Sequence, residues 1–187
     1  MKRTALFAAL LLAWAGPSSA QTWEAGLTGG YRTIKDESLR RIYGNGFVYT
    51  PYLSLAVSKT LRVGAEYEFG YVKNAKIGLF EDPSTLKVRG GHLFLQYGER
   101  SGRFQPFFKV GLGLYAFQFD VEIPSRPALR VADTDVSFYF GAGLRIAVTK
   151  HLIGTTELKY AALWVDSYDD QVDLGGIRIL LGIGYGF

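Results

Sequence analysis

Apolar residues in this 187-residue chain alternate with small or charged residues over many short stretches. The last eleven residues, 177–187, are the clearest case: isoleucine, leucine, tyrosine and phenylalanine occupy every second position, and mostly glycine and arginine lie between them. A period of two predicts a β-strand with one apolar face and one face of glycine and charge. In a water-soluble barrel the apolar face would point inward and leave glycine outside. The opposite assignment, apolar outside and polar inside, is the one that a strand in contact with lipid requires.

The same alternation recurs along the chain and predicts eight strands in total. They are expected at about residues 23–33, 47–57, 61–71, 88–97, 104–121, 135–148, 152–164 and 177–187. Two places depart from the pattern. Pro51 cannot donate a hydrogen bond to a neighbouring strand, which is awkward in a barrel without a free edge. The apolar positions of the fifth strand change phase, which predicts a bulge near Ala116 that keeps the later apolar residues outward. These residues are Phe117, Phe119 and Val121.

The links between the predicted strands alternate in length. Short links are expected at 58–60, 98–103 and 149–151. Longer links are expected at 34–46, 72–87, 122–134 and 165–175. Outer-membrane barrels have short periplasmic turns and longer outer loops, and an even number of strands puts both chain ends in the periplasm. The predicted fold class is therefore all-β, an eight-stranded antiparallel up-and-down transmembrane β-barrel.

The first twenty residues have a different composition. Lys2 and Arg3 precede an apolar run over 5–15, which is followed by glycine, proline and the small residues of 18–20. A basic start, a short apolar run and a small-x-small site are typical of a secretory signal peptide. We expect a signal peptide over 1–20, cut after Ala20, and a barrel domain over 21–187. An uncleaved membrane anchor is the alternative, but the run falls short of the roughly 20 apolar residues that a spanning helix needs.

Composition and charge narrow the class of protein further. The chain has no cysteine, which excludes disulfides, a lipid-modified N-terminal cysteine and cysteine-based metal or nucleophile chemistry. Without Lys2 and Arg3, 19 basic residues stand against 17 acidic ones, so the charge favours no nucleic-acid partner. The 23 glycines, 13 phenylalanines and 12 tyrosines favour a closed barrel, since a chain crosses a bilayer only as helices or as a closed barrel.

Acidic and basic residues occupy strand faces opposite the apolar ones. They are Glu24, Arg32, Arg62, Glu66, Glu68, Lys109, Arg145, Glu157, Lys159 and Arg178. An isolated charge removed from water costs several kcal/mol or more, so the members of such a set must pair. We expect a lumenal salt-bridge network with a structural role, in a barrel just wide enough to be filled by its own side chains. An ion path, or a catalytic pair formed by Glu66 and Glu68, is the functional alternative.

Aromatic residues fall near both ends of the predicted strands. The interfacial positions are Trp23, Tyr31, Tyr49, Tyr71, Tyr97 and Trp164. Two rings of such residues are typical of the aromatic girdles that anchor a barrel at the level of the lipid headgroups. A carbohydrate- or lipid-binding groove built from aromatic residues is the competing interpretation.

Candidates for catalysis and metal binding are few. The two histidines, His92 and His151, have no serine beside them in the sequence, and no phosphate-binding loop, metal-spaced histidine pair or nucleophile elbow occurs. We expect no catalysis and no cofactor. The fourth long link carries an acidic cluster that would either bind a divalent cation or simply be solvated. The cluster comprises Asp166, Asp169, Asp170 and Asp173.

In its alternation, its girdles and its final Phe187, the chain resembles the OmpA/OmpX-like outer-membrane beta-barrel domain superfamily. The resemblance implies a monomeric integral protein of the cell outer membrane with a structural or surface-interaction role. It also implies lipid and lipopolysaccharide as surroundings, and recognition of Ile183, Tyr185 and Phe187 by the barrel-assembly machinery. Two other functions stay open: an outer-membrane lipid A-modifying enzyme of the deacylase kind, and a secreted lipocalin-like binder with an apolar pocket.

Overall fold

A computed structural model describes residues 23–78, 80–99, 101–123, 127–167 and 170–187, without side chains at 165–167, 170 and 171. The predicted signal peptide therefore lies outside the described residues. The elements in chain order are β1 (Trp23–Arg32), α1 (Glu37–Tyr43), β2 (Gly46–Ala56), β3 (Leu61–Ile77), β4 (Asp82–Gly98), β5 (Phe104–Val121), β6 (Leu129–Ala147), β7 (Leu152–Ala162), β8 (Trp164–Ser167), β9 (Asp170–Asp173) and β10 (Gly176–Gly186).

Eight of the strands form a closed antiparallel barrel in the order β1, β10, β7, β6, β5, β4, β3, β2. The first and last barrel strands close it, because β1 pairs with β10 along its length. At the end of this seam the Trp23 and Phe187 amides each donate to the other residue's carbonyl, at 3.0 and 2.9 Å. β8 and β9 form a separate two-stranded hairpin. The predicted eight-stranded up-and-down barrel is confirmed.

Side chains on β10 show which face of the sheet points outward. Ile179 is 59% exposed and Leu181 66% exposed, whereas Arg178 and Leu180 are fully buried. The apolar face therefore lies on the outside of the cylinder and the charged face points into its lumen. No helix among the described residues is both long enough and apolar enough to cross a bilayer.

The two ends of the barrel differ in the length of their connections. We call the end that carries Trp23 and Phe187 the terminal end and the opposite end the loop end. At the loop end two predicted links are largely strand: β3 continues to Ile77 before a tight turn into β4, and β6 begins at Leu129. The first long link contains α1, and the fourth contains the β8–β9 hairpin. The extended strand pairs project beyond the closed part of the barrel. Between β5 and β6 the backbone pairing continues without a break along this extension.

The predicted bulge near Ala116 is absent. The pairing of β5 runs without a register shift from Phe107 to Val121 against β4, and equally without a shift against β6. Phe117 and Val121, expected to point outward, are buried and point inward, and Phe119 shares their face of the strand. The physical reason is a change of surroundings. At the loop end the interior is an apolar core, so apolar residues face inward there without any break in the strand.

A bulge occurs instead in β3. Its register against β4 shifts between Glu68 and Tyr71, and Gly70 between them has a φ of 99°. The extra residue reverses the facing of everything that follows, as bulges do. Tyr71, predicted as a girdle residue on the outside, is consequently only 1% exposed and lies in the interior. The girdle prediction for Tyr71 is wrong.

The loop end of the lumen is closed by α1 and an apolar cluster. The helix is capped at its N-terminus by Asp36, whose side chain accepts a hydrogen bond from the Leu39 amide at 2.8 Å. The Tyr43 hydroxyl at its other end donates to the Ser84 hydroxyl of β4 at 2.8 Å. The buried cluster comprises Ile34, Tyr43, Val48, Tyr71, Leu86, Val88, Tyr115, Phe117, Leu163, Leu174 and Leu180. This core separates the polar lumen from the solvent at the loop end.

The bulge supplies a test of the fold. Gly70→Ala should destabilise the barrel by about 1–3 kcal/mol, because an L-residue is strained at positive φ and the added Cβ would lie 2.8 Å from the Tyr49 ring. Gly91→Ala is the matched control, since its Cβ would meet the Tyr67 side chain at an ordinary 3.7 Å. The measurement is urea unfolding of the refolded protein, followed by tryptophan fluorescence. Equal midpoints for the two variants would contradict the bulge.

Candidate functional site: the charged interior of the barrel

The interior charges lie in three layers along the barrel axis. In the layer nearest the terminal end, the Glu24 carboxylate accepts from the Arg145 guanidinium and lies 3.2 Å from that of Arg62. The Tyr52 hydroxyl donates to the same carboxylate at 2.8 Å. Arg62 also donates to the Ser54 hydroxyl at 2.9 and 3.2 Å. One carboxylate therefore organises two arginines in this layer.

The middle layer pairs two glutamates with two lysines. The Glu66 carboxylate accepts from Lys109 at 2.7 Å and from Lys159 at 2.5 Å. Lys109 also donates to Glu157 at 3.1 Å. Each ammonium lies over an aromatic ring as well, with Lys159 4.3 Å from the centroid of Tyr139. These contacts neutralise groups that are almost fully removed from solvent.

The layer nearest the loop end is built on Glu68. Its carboxylate accepts from Arg32 at 3.1 Å and from Arg178 at 2.7 and 3.2 Å. Arg178 also donates to the Tyr115 hydroxyl at 3.1 Å. Arg32 donates to the Leu174 carbonyl at 2.5 Å, which joins this layer to the connection that precedes β10. Both guanidinium groups are fully buried.

All ten charged residues expected in the lumen are thus placed there and brought within ion-pair distance of one another. Four carboxylates face six cations, so the set carries two formal positive charges in excess. Carbonyl oxygens, hydroxyl oxygens and aromatic rings are the further partners of these cations. Because the side chains fill the lumen, the cavity lined by Glu24, Lys109 and Glu157 measures only about 20 Å³.

Glycine makes room for the aromatic rings of the interior. Five inward rings each lie directly opposite an inward glycine on the neighbouring strand, and a Cβ on that glycine would overlap the ring. The pairs are Gly26 with Tyr52, Gly64 with Phe94, Gly90 with Tyr115, Gly111 with Tyr139 and Gly143 with Phe107. Five of the glycines that alternate with apolar residues in the sequence therefore lie opposite large interior rings.

The interior histidine has a partner that the sequence did not reveal. We expected no serine near His92, but its Nε2 lies 2.9 Å from the Ser137 hydroxyl. These residues are on β4 and β6, and both pair with Gly113 of the strand between them. The absence of a side chain at Gly113 lets them meet. His92 Nδ1 lies 4.0 Å from Glu66, beyond hydrogen-bond distance.

The remaining predicted positions lie on the outside of the barrel. Among the girdle residues, Trp23 and Tyr97 are exposed at the terminal end, and Tyr31, Tyr49 and Trp164 are exposed at the loop end. The residues predicted as the C-terminal signal, Ile183 and Tyr185 of β10 and Phe187 directly after it, are 53–61% exposed on the outside of the barrel.

The acidic link is only partly described. Asp173 forms an ion pair with Lys35 at 2.9 Å, and this hydrogen bond is the main reason why the pKa of Lys35 is raised. Asp169 and the side chains of Asp166 and Asp170 lie outside the described residues. Within the part of the chain that the structure describes, no cluster of three or more acidic or histidine residues is arranged to hold a metal.

An eight-stranded barrel with an apolar exterior and a charged interior is the architecture of an outer-membrane β-barrel protein. Over residues 5–187 the chain matches the family described as outer membrane protein beta-barrel domain, and it belongs to that family. No curated protein matches it.

Solved structures with the same fold come from several bacteria. The chain is similar to Ail, the attachment invasion locus protein of Yersinia pestis, in complex with the heparin analogue sucrose octasulfate: TM-score 0.58, 12% identity, covering 90% of this chain and 100% of that one. Neisserial surface protein A gives a TM-score of 0.55 at 13% identity, with 90% and 100% covered. The N-terminal β-barrel domain of Pseudomonas aeruginosa OprF gives 0.51 at 16% identity, with 89% and 97% covered. These likenesses show the fold alone.

The Glu68 layer supplies a test of the interior. Glu68→Gln should lower the free energy of unfolding by about 3–5 kcal/mol, because it leaves two buried guanidinium groups without their shared carboxylate. Glu37→Gln, which breaks the exposed pair with Arg41, is the control and should change stability little. Urea titration of both refolded variants measures the difference. A Glu68→Gln variant as stable as the control would show that the buried ion pairs do not hold the barrel together.

Proposed function

We propose that this protein is a non-catalytic integral protein of the outer membrane, with a structural or surface-interaction role. The observation that carries the proposal is the inverted distribution of polarity: ion pairs inside and exposed leucine, isoleucine and phenylalanine outside. Such an exterior is suited to lipid and unsuited to water. The same observation argues against the lipocalin-like alternative, which requires an apolar pocket within a polar exterior.

The proposed role of the ten interior charges is to fix the strands relative to one another and to fill the lumen. Each carboxylate contacts cations from non-neighbouring strands of the barrel, as Glu66 of β3 does with Lys109 of β5 and Lys159 of β7. Ion pairs of this kind specify one register because a shifted strand would leave a charge buried without a partner. A filled interior leaves no continuous water path through these layers.

Catalysis is not proposed, although the Ser137–His92 contact is the kind of pair from which a nucleophile is built. Both residues are buried in the lumen, with His92 only 4% exposed, so a substrate has no access to them. The carboxylate near His92 is held by two lysines and lies too far away to orient the imidazole. A buried, hydrogen-bonded histidine accounts for the geometry.

We infer that both chain ends lie in the periplasm and that the loop end faces the outside of the cell. The terminal end has only short turns, whereas the loop end carries α1, the β8–β9 hairpin and the extended strand pairs. Long elements on one side are typical of the outer side of such barrels. A surface-interaction role would be carried by these elements. The similar barrel from Yersinia pestis is an attachment invasion locus protein, which is consistent with a surface role for a barrel of this fold.

The proposed partners follow from the exterior. Lipid and lipopolysaccharide contact the apolar band and its aromatic girdles, with no nucleic acid involved. Within the closed part of the barrel each of the eight strands has two neighbours, so this part offers no free edge for pairing between copies, which favours a monomer. The exposed Ile183 and Tyr185 of β10, with Phe187 directly after it, are proposed as the signal for the barrel-assembly machinery.

An epitope placed at either end tests the orientation. An insertion after Phe80, which is exposed in the β3–β4 turn, should bind antibody on intact cells. An insertion after Lys150, exposed in the β6–β7 turn at the terminal end, should bind antibody only after the outer membrane is permeabilised. Surface labelling of the Lys150 insertion, or labelling of neither insertion in a membrane fraction that contains the protein, would contradict the proposed placement.

The assembly signal is tested at the last residue. Phe187→Ala should reduce the amount of folded protein in the outer membrane, because recognition of the C-terminal strand depends on its outward side chains. Phe104→Ala is the matched control, since Phe104 is 60% exposed near the same end and Phe187 61%. Heat-modifiable migration on gels of membrane fractions measures folded protein. Equal loss in both variants would mean that lipid contact, and not recognition, explains the effect.

A further inference from the structure

A cavity of about 620 Å³ lies against β3, β4, β5 and β6 near the loop end. Its lining alternates between side chains that point outward, such as Lys87 and Arg89, and buried residues such as Val88 and Phe117. Because the buried residues pack in the apolar core, the open volume lies on the outer surface of the sheet. The depression is therefore accessible from the surroundings of the barrel and separate from the charged lumen.

Small residues form the floor of this depression. Ala116 of β5 pairs with Arg89 on one side and with Thr134 on the other. One step toward the loop end, Gln118 pairs with Lys87 and with Ala132. The short side chains leave space between the two cations of β4 and the outward face of β6. A sheet surface that would otherwise be convex thus carries a recess beside two basic side chains.

Within the described residues, neither Lys87 nor Arg89 forms an ion pair. Two carboxylates lie nearby: Asp120 is engaged by Arg130 at 2.6 Å and by Gln118 at 2.6 Å, and Asp133, which also lines the recess, accepts from the Thr134 amide at 2.7 Å. The hydrogen bond from Arg130 is the main reason why the pKa of Asp120 is lowered, and Lys87 adds a smaller contribution. The recess therefore presents two cations outside any ion pair of the described chain, beside carboxylates that already have other hydrogen-bond partners.

The recess lies at the upper border of the apolar band. On β4 the outward residues below it are apolar, with Leu93 71% and Leu95 50% exposed. Arg89 lies eight positions before Tyr97 of the terminal-end girdle, which is about 26 Å along the strand. With a strand tilt of about 40°, this is about 20 Å along the barrel axis, close to the height of the apolar band in such barrels. Arg89 and Lys87 thus stand at headgroup level.

We propose that this recess binds the phosphate-bearing headgroup of a lipid in the outer leaflet, with Arg89 and Lys87 on the phosphate and the acyl chains against Leu93, Leu114 and Val136. Arg and Lys form charge-assisted hydrogen bonds with phosphate. The apolar side chains directly below suit acyl chains and give a free phosphate ion nothing further to contact. The proposal rests on the proposed function, because the loop end must face the outer leaflet.

The test uses the full refolded chain in detergent and bisphosphorylated lipid A as the probe, with bound lipid counted by native mass spectrometry. Lys87→Gln combined with Arg89→Gln should weaken binding about tenfold or more, the loss that follows from removing charge-assisted hydrogen bonds. Lys59→Gln combined with Lys150→Gln, in exposed turns at the terminal end, removes the same charge and should leave binding unchanged. Heat-modifiable migration verifies that both double variants are folded.

Two further arms identify the source of the phosphate. Dephosphorylated lipid A should bind about tenfold or more weakly than the bisphosphorylated form, by the same loss of hydrogen bonds. Inorganic phosphate at matched concentration should not displace the lipid. Equal binding by the two double variants, equal binding of dephosphorylated lipid A, or displacement by inorganic phosphate would each overturn the proposal. Binding in micelles does not depend on orientation in the cell, so its failure is distinguishable from a failure of the epitope test.

Discussion

Compensation of charge inside the barrel is the constraint on which the rest of the structure depends. A lipid-facing exterior sends the polar residues inward, where a charge without a partner would be too costly to bury. The structure meets this requirement by placing each layer around a carboxylate, Glu24, Glu66 or Glu68, and by surrounding it with cations from several strands. The ion pairs join non-neighbouring strands across the lumen, and their side chains occupy most of its volume.

The parts of the fold that lie in the apolar band were predictable from the chain alone. Alternation identified the strands, and residues such as Arg62, Arg145 and Arg178 faced inward as their position in the pattern required. Pro51 is accommodated on the outward face of β2, where the ladder with β3 passes from Tyr49 directly to Tyr52. Within the apolar band, lipid lies on one side of the sheet and the polar lumen on the other, so an apolar residue consistently indicates the outward face. Prediction from alternation succeeds over this part of the chain.

Prediction failed where the surroundings change. Above the apolar band the interior is an apolar core. Phe117 therefore faces inward, as the unbroken register of β5 requires, although an apolar residue was predicted to face outward. The extra residue of the β3 bulge at Gly70 places Tyr71 in the interior. In the sequence, only the glycine at this position could have indicated the bulge. The His92–Ser137 contact depends on three-strand geometry across Gly113, which no local pattern contains. Predicting a contact between side chains that are distant in sequence requires the register of every intervening strand.

The matched glycines and rings of the interior have a consequence for how the barrel forms. Gly111 fits Tyr139, and Gly90 fits Tyr115, only when the neighbouring strands are in their native alignment. A misaligned pair would set a ring against backbone or against another bulky group, and the sheet would be pushed apart. This steric match favours the native alignment of each neighbouring pair of strands, independently of the ion pairs across the lumen.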